Sequence, residues 1–240
     1  MNDFVLTKEA VDQINQEIGN ATGLPNYAYT SDAYFELEQQ TLFKDTWVCI
    51  GNACTLSQPG SVKPVSFLGS PLLMVRDTSH QIRVFHNVCS HRGNELVWES
   101  GVCDGVIRCP YHGWAYGLNG ELRATPHIGG IGQHDIDAFD KSNHGLREAR
   151  SQVWMDLVFT NLSGLAPPFD EFIAPLQQRI DALASAKELE KLEPAATYGS
   201  LTIRFNGNWK LDVENNLESY HLPWVHPELN RISRIEDHYC

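Results

Sequence analysis

An α+β fold built on a small antiparallel β domain is predicted from three observations. Short apolar runs alternate with turn residues across 46–162, helical spacing of apolar residues occurs only outside that stretch, and Asn119-Gly120 is a two-residue hairpin signal. In chain order, residues 7–18 read as a short polar helix. A second runs from Ser31-Asp32 to about Lys44, with Tyr34, Leu37, Leu42 and Phe43 as its apolar positions. Residues 65–67, 72–75 and 82–85 read as strands, parted by Leu68-Gly69-Ser70-Pro71 and by residues 77–81. Strands at 106–108, 114–117 and 121–123 follow, the last two joined by the hairpin signal, and 153–160 reads as one further strand. Pro167-Pro168 marks a boundary. Beyond it Phe169, Phe172, Ile173, Leu176, Ile180 and Leu183 fall at helical spacing, with Pro175 expected to kink or cap that helix. Residues 201–205 read as a strand, and 211–220 as a helix stopped by Pro223. The expected organisation is a helical segment over 1–45, the β domain over 46–165, and the start of a second domain over 166–240.

Hydrophobic residues make up 42% and charged residues 20%, so a core of useful size can form. Thirty acidic against 18 basic residues leave a formal net charge of −12. Nucleic acid and anionic membranes both need basic patches, so neither is an expected partner. Six cysteines, at 49, 54, 89, 103, 109 and 240, are too few and too scattered for a disulfide scaffold. Met1-Asn2-Asp3-Phe4 carries an early acid and no basic stretch ahead of an apolar run, unlike a secretory signal. No segment nears the roughly 20 apolar residues that span a bilayer. A reducing, cytoplasmic setting is the expectation.

Two loops each supply one cysteine and one histidine: Cys89-Ser90-His91 and Cys109-Pro110-Tyr111-His112. Predicted strands 82–85 and 106–108 lead into them, so both tips can meet at one end of the β domain. Two thiolates on one iron and two imidazoles on another is the division that defines a Rieske centre and raises its potential above all-Cys ferredoxins. Structural zinc is the alternative. Zinc sites more often pair cysteines as Cys-x₂₋₄-Cys and histidines as His-x₃₋₅-His, and neither spacing occurs in these loops. Arg92-Gly93 and Gly113-Trp114 let the backbone turn closely around a buried group. Cys49 and Cys54 fit buried strand or strand-end positions, and Cys103 matches no ligand position.

The motifs Cys89-Ser90-His91-Arg92-Gly93 and Cys109-Pro110-Tyr111-His112-Gly113-Trp114 resemble those of the Rieske non-haem iron oxygenases. That resemblance implies a [2Fe-2S] cluster held by Cys89, His91, Cys109 and His112. Rieske proteins of respiratory complexes add a cysteine to each loop and join the two. The matching positions here are Asn94 and Tyr111, so that disulfide is excluded. Where those proteins carry a serine that bonds a cluster sulfur, this chain has Trp114. Fewer donors to sulfur imply a potential toward the low end of the Rieske range, roughly −150 mV.

A second constellation lies in 208–227. Glu214, Glu218 and His221 are spaced i, i+4 and i+7, hence on one face of the predicted helix. Past Pro223 the chain can fold His226 back toward His221. Two imidazoles and a carboxylate with open positions make the facial triad of non-haem Fe(II) oxygenases. Glu218-x-x-His221 also fits a di-iron bundle, but that architecture needs a second Glu-x-x-His, and none occurs. A zinc protease needs His-Glu-x-x-His, also absent. Plain helix-end histidines are the remaining alternative.

This segment is similar to the large (alpha) subunits of the Rieske oxygenases, the ring-hydroxylating dioxygenase family. Their pattern of an acid, a histidine three later and a histidine five beyond that is met by Glu218, His221 and His226. The resemblance implies mononuclear Fe(2+) on His221 and His226. It makes Glu218 an inter-subunit electron bridge, from His112 of the next chain to His221, in a ring-shaped homotrimer. The family's third iron ligand is a carboxylate well over a hundred residues beyond the second histidine. After His226 this chain has only Glu228, Glu236 and Asp237 as acids. It is therefore expected to be C-terminally truncated, the Rieske domain being followed by the incomplete start of an α+β, helix-grip-like catalytic domain.

The implied function is that of a terminal oxygenase component. Electrons from an NAD(P)H-dependent reductase or ferredoxin pass through the cluster to iron, where O₂ is used to hydroxylate or N-demethylate a small organic substrate. Glutamate within Leu217-Glu218-Ser219-Tyr220-His221 resembles members that oxidise quaternary ammonium compounds such as carnitine, choline or glycine betaine. Tyr220 and Trp224 are candidate walls of an aromatic cage for such a substrate, or else pack their helix against a core. An aromatic-ring hydroxylating dioxygenase is one alternative. A Rieske electron-transfer module with an inert extension is another.

Overall fold

The computed structural model describes residues 5–189, 191–192 and 203–237. The chain forms two compact units, residues 39–197 and residues 1–38 with 198–240. The first unit carries strands β1 (Val48–Asn52), β2 (Ser61–Phe67), β3 (Ser70–Arg76), β4 (Ile82–His86), β5 (Gly101–Val102), β6 (Val106–Arg108), β7 (Ala115–Gly117), β8 (Leu122–Ala124), β9 (Glu148–Trp154) and β10 (Leu157–Asn161). A seven-stranded sheet has the order β1-β10-β9-β4-β3-β2-β5, a three-stranded sheet the order β6-β7-β8, and the ladders are antiparallel.

The unbroken apolar run Leu72-Leu73-Met74-Val75 explains the layering. Leu73 and Val75 face a core shared with Phe85, Ile107, Trp114 and Tyr116. Leu72 and Met74 face the opposite core, with Val84 and Val158. Both faces of β3 are thus covered, and each of these side chains stabilises the fold by about 2 kcal/mol. Pro64 is tolerated inside β2 because β5 pairs only with Ser61 and Val62, leaving no ladder bond to be lost at 64 on that side.

Several expectations need correction. The single strand expected over 153–160 is a hairpin of β9 and β10, turned by Met155 and Asp156 at φ 47° and 66°. Two left-handed central residues match the twist of a hairpin, but Met-Asp lacks the asparagine or glycine that marks such turns in a sequence. The compact unit that holds the β domain runs on past the boundary expected at 165/166. Helix Phe169–Leu183 packs Phe169 and Ile173 onto Trp47 and Phe159, which keeps it with the β unit. The first helix covers only Lys8–Ile14, capped by Thr7, whose hydroxyl accepts from the Ala10 N–H at 3.2 Å. The second runs from Asp32 to Glu38 and on through a π-helical turn over Gln39–Phe43, preceded by a separate short helix, Tyr27–Thr30. Residues 203–205 are irregular, and the rest of the strand expected over 201–205 lies outside the described residues.

In the second unit, helix Trp209–Leu217 is capped by Asn208, whose side chain accepts from the Lys210 N–H at 3.1 Å. Lys210 Nζ donates to both oxygens of Glu38, at 2.7 and 2.9 Å, and Trp209 Nε1 donates to the same carboxylate at 3.1 Å. Glu38 and Lys210 are buried. This pair anchors the N-terminal helical segment to the helix that precedes Glu218. Among the described residues, no helix is long and apolar enough to cross a membrane.

Candidate metal centres

The two cysteine–histidine loops close on one hydrogen-bond pattern. The Cys89 N–H donates to the Asn94 carbonyl and the Cys109 N–H to the Trp114 carbonyl, both at 2.8 Å. In return Gly93 N–H donates to the Cys89 carbonyl at 2.9 Å and Gly113 N–H to the Cys109 carbonyl at 3.0 Å. Gly93 and Gly113 sit at φ 73° and 72°, a left-handed conformation that costs any other residue about 1–2 kcal/mol. β4 leads into the first loop, and the β6–β7 hairpin frames the second. Cys89 and Cys109 are both buried, in one core cluster. The rings of His91 and His112 meet with centroids 4.7 Å apart.

Tyr116 was not foreseen from the sequence as part of this site. Its hydroxyl accepts from the Ser90 N–H at 3.1 Å and lies 3.0 Å from Cys89 Sγ, placed to donate to that sulfur when it is a thiolate. Ser90 Oγ, also 3.0 Å from that hydroxyl, donates to the His144 carbonyl at 2.6 Å. One donor to sulfur is thus present although Trp114 replaces the serine. Strand alternation offered a signal, since 114 and 116 share a face. Burial raises the Tyr116 hydroxyl pKa well above its ordinary value, and the Cys89 contact adds to this, so it stays a donor.

The donor set fits a [2Fe-2S] cluster. His112 Nδ1 is buried with no hydrogen-bond partner among the described residues, a lone pair in want of a cation. Burial, then His112 and Arg92, hold His91 below the usual histidine range, which keeps it neutral and able to ligate. Burial pushes the Cys89 thiol up against the pull of Tyr116, so ionisation there calls for a metal. Among the described residues no three His, Cys, Asp or Glu side chains converge as around a single ion, and a two-and-two division requires none. Cys49 and Cys54, expected to be buried, are exposed, and Cys103 is half-buried. β1 is an edge strand and turns Cys49 outward.

The second constellation is built differently from the expectation. The helix ends at Leu217 and Glu218 is extended at φ −131°, ψ 155°, so Glu214, Glu218 and His221 share no helical face. Glu214 instead accepts from the Tyr29 hydroxyl at 2.6 Å, and burial followed by this carboxylate raises the Tyr29 pKa to about 12. Glu218 spends both oxygens on His221. Oε1 lies 2.5 Å from Nδ1, and Oε2 accepts from the backbone N–H at 3.2 Å. The His221 contact holds the Glu218 carboxyl below its ordinary range. A carboxylate facing Nδ1 keeps the proton there and leaves Nε2 as the lone-pair nitrogen. Pro223 stops no helix. It sits in the first turn of the short helix Leu222–Val225, where a missing N–H costs nothing. That turn brings the His226 ring within 5.4 Å of His221. An open cavity of about 360 Å³ borders Asn215, Glu218, Ser219, His221, His226 and Ser233. Tyr220 and Trp224, the candidate cage walls, are 79% and 84% exposed. Glu228 is engaged by Arg231 at 2.8 Å.

An antiparallel β domain with two glycine-closed Cys-His loops defines the Rieske class of iron–sulfur proteins. Residues 46–135 match the Rieske [2Fe-2S] domain, and residues 192–240 match the ring hydroxylating alpha subunit (catalytic domain). The carnitine monooxygenase oxygenase subunit of Acinetobacter pittii is 30% identical over 203 residues, 85% of this chain and 52% of that protein. The glycine betaine monooxygenase oxygenase subunit of Pseudomonas aeruginosa is 33% identical over 207 residues, 86% of this chain and 45% of that one. The crystal structure of the quaternary ammonium Rieske monooxygenase CntA with inhibitor MMV12 superposes with a TM-score of 0.75 at 29% identity, over 87% of this chain and 55% of that one. The chain spans about half the length of the curated relatives it matches. The chain thus carries a Rieske [2Fe-2S] domain and part of a ring-hydroxylating alpha-subunit catalytic domain, which together imply a [2Fe-2S] cluster and a mononuclear iron.

Proposed function

We propose that this chain is part of a terminal oxygenase component that oxidises a quaternary ammonium compound. In this reading Cys89, Cys109, His91 and His112 hold the [2Fe-2S] cluster, and His221 and His226 hold Fe(II). When bound, the cluster supplies stored single electrons and the iron activates O₂. The observation that carries the reading is the pair of hydrogen bonds between Glu218 and His221, at 2.5 and 3.2 Å. A carboxylate facing Nδ1 fixes the tautomer of that imidazole, which is what the outer partner of a metal-bound histidine does, and the remaining lone pairs of its oxygens can accept from a further donor. Glu218 then connects His221 to His112 of a neighbouring copy in a homotrimer, and an NAD(P)H-dependent reductase or ferredoxin feeds the cluster.

The substrate class is supported by the names of the relatives and by glutamate in Leu217-Glu218-Ser219-Tyr220-His221. One oxygen atom of O₂ enters a C–H bond beside nitrogen. The other leaves as water, with two electrons and one proton drawn from NAD(P)H and the second proton from solvent. The resulting hemiaminal breaks its C–N bond to give an amine and an aldehyde. Metal analysis of the chain and O₂ uptake with a reductase test this. Three irons per chain and uptake stimulated by carnitine or glycine betaine are expected. Uptake stimulated only by aromatic hydrocarbons would replace the substrate class, and uptake with neither would sink the oxygenase reading. A second reading, an electron-transfer module, is favoured by the open cavity beside His221 and His226. It predicts two irons per chain and a cluster that still accepts electrons.

A further inference from the structure

We infer that Trp114 is a positioning residue for His91, fixing the plane of that imidazole and through it the potential of the cluster. The inference rests on the reading of His91 as a cluster ligand. An imidazole held through one nitrogen rotates about that bond unless its faces are packed. The Trp114 indole lies 4.6 Å from the His91 ring at 9°, a parallel stack. His112 meets its ring neighbours at steeper angles, His91 at 68° and Tyr111 at 37°.

The indole is itself held. Trp114 is buried, and Phe139 and His144 meet it edge-on at 5.5 and 6.3 Å. The His144 ring stacks on Phe139 at 4.4 Å, and the His144 carbonyl takes the Ser90 hydroxyl proton from the loop that carries His91. Loop and indole therefore move as one body. His112 has no such support. Its aromatic neighbour Tyr111, at 3.8 Å, is adjacent in sequence and 60% exposed. The two imidazoles are thus held unequally, one by a core indole and one by a surface phenol.

Two physical terms give the sign. The indole face is electron-rich and favours positive charge on the ring beside it, hence the oxidised cluster. The indole also keeps water from one face of His91, and water favours the extra electron. Both hold the potential down, so losing the stack raises it.

The test uses the loaded full chain, with redox titration and the reduced-state EPR spectrum as readouts. Trp114→Leu is expected to shift the midpoint upward and to broaden the EPR lines. Trp114→Phe, which keeps a ring in the stack, restores most of both. Phe139→Leu removes the buttress alone and produces a smaller upward shift, which decides the matter should Trp114→Leu fail to load. Tyr111→Leu leaves midpoint and line width unchanged. A loaded Trp114→Leu or Phe139→Leu with native midpoint and line width would overturn the inference, as would an equal shift in Tyr111→Leu. Absence of two irons and two labile sulfides from the wild-type chain would overturn the cluster reading instead.

Discussion

The cysteine–histidine loops and the Glu218–His226 segment hold their ligand-type residues in opposite ways. In the β unit, four side chains arrive on two loops that each close on themselves through a pair of backbone bonds and a left-handed glycine. They are backed by a core that includes Trp114 and Tyr116. In the other unit, two histidines come from one nine-residue stretch with an open cavity beside them and exposed aromatic neighbours. The difference teaches which site stands alone. The first has its ligands, its donor to sulfur and its packing within residues 39–197. The second has an imidazole faced by Glu218 and a second histidine beside it, with an open cavity along one side.

The largest expected effect separates the two directly. Cys109→Ser should abolish the visible absorbance and remove both cluster irons. His221→Ala should leave the colour and those two irons intact and cost only the third. Metal analysis with visible spectra reads both, and bleaching in His221→Ala would break the comparison. A smaller effect probes the anchoring of the second unit. Lys210→Ala leaves Glu38 as a buried charge without its ammonium and should cost about 3–5 kcal/mol. The loss should fall on the helices of residues 1–38 and 203–237, seen as an early far-UV transition, while the cluster's visible dichroism melts at its native temperature. A single shared transition would show that the two units are not independent.

Legibility in the sequence divides along the same line. The ligand loops were readable because residue type and short spacing carry the chemistry, and β3 was readable because a four-residue apolar run needs cover on both faces. Alternation places 114 and 116 on one face, but the contact of Tyr116 with Cys89 was not readable, since it is a matter of tertiary approach across 27 residues. The Met155-Asp156 turn offered no turn chemistry. The helix end at Leu217 was also missed. Pro223 was the visible stop, yet Asn215 and Asn216 are poor helix formers and the helix fails just after them. The resulting extended Glu218 serves His221 better than the expected helical face, because both of its oxygens reach one residue. The Glu38–Lys210 pair joins positions 172 apart, a spacing no local pattern encodes.

The smallest effect tests how far the β unit's self-sufficiency depends on charge. Asp77 turns the hairpin between β3 and β4, the strand that leads to Cys89. It accepts from the Ser79 N–H at 2.8 Å, the Ser79 hydroxyl at 2.7 Å, the Gln81 N–H at 3.0 Å and Arg83 Nε at 2.8 Å. Burial pushes its carboxyl up, but the bonds from Ser79, Arg83 and Gln81 outweigh that and hold it below the ordinary aspartate range. A folded-state value below the unfolded one means that the unfolded chain binds the proton first. The stabilisation is then fully present above the ordinary value of about 3.9 and lost as pH falls through the lower, folded value. Asp77→Ala should cost about 2 kcal/mol at neutral pH, roughly 6 °C in melting temperature for a unit of this size. The gap between variant and wild type should narrow as pH drops below about 3.9. A gap that stays constant with pH would mean that Asp77 acts through the shape of its turn and not through its charge. In that case the β unit's stability would owe nothing to this carboxylate's ionisation, and its acid sensitivity would have to come from groups nearer the cluster.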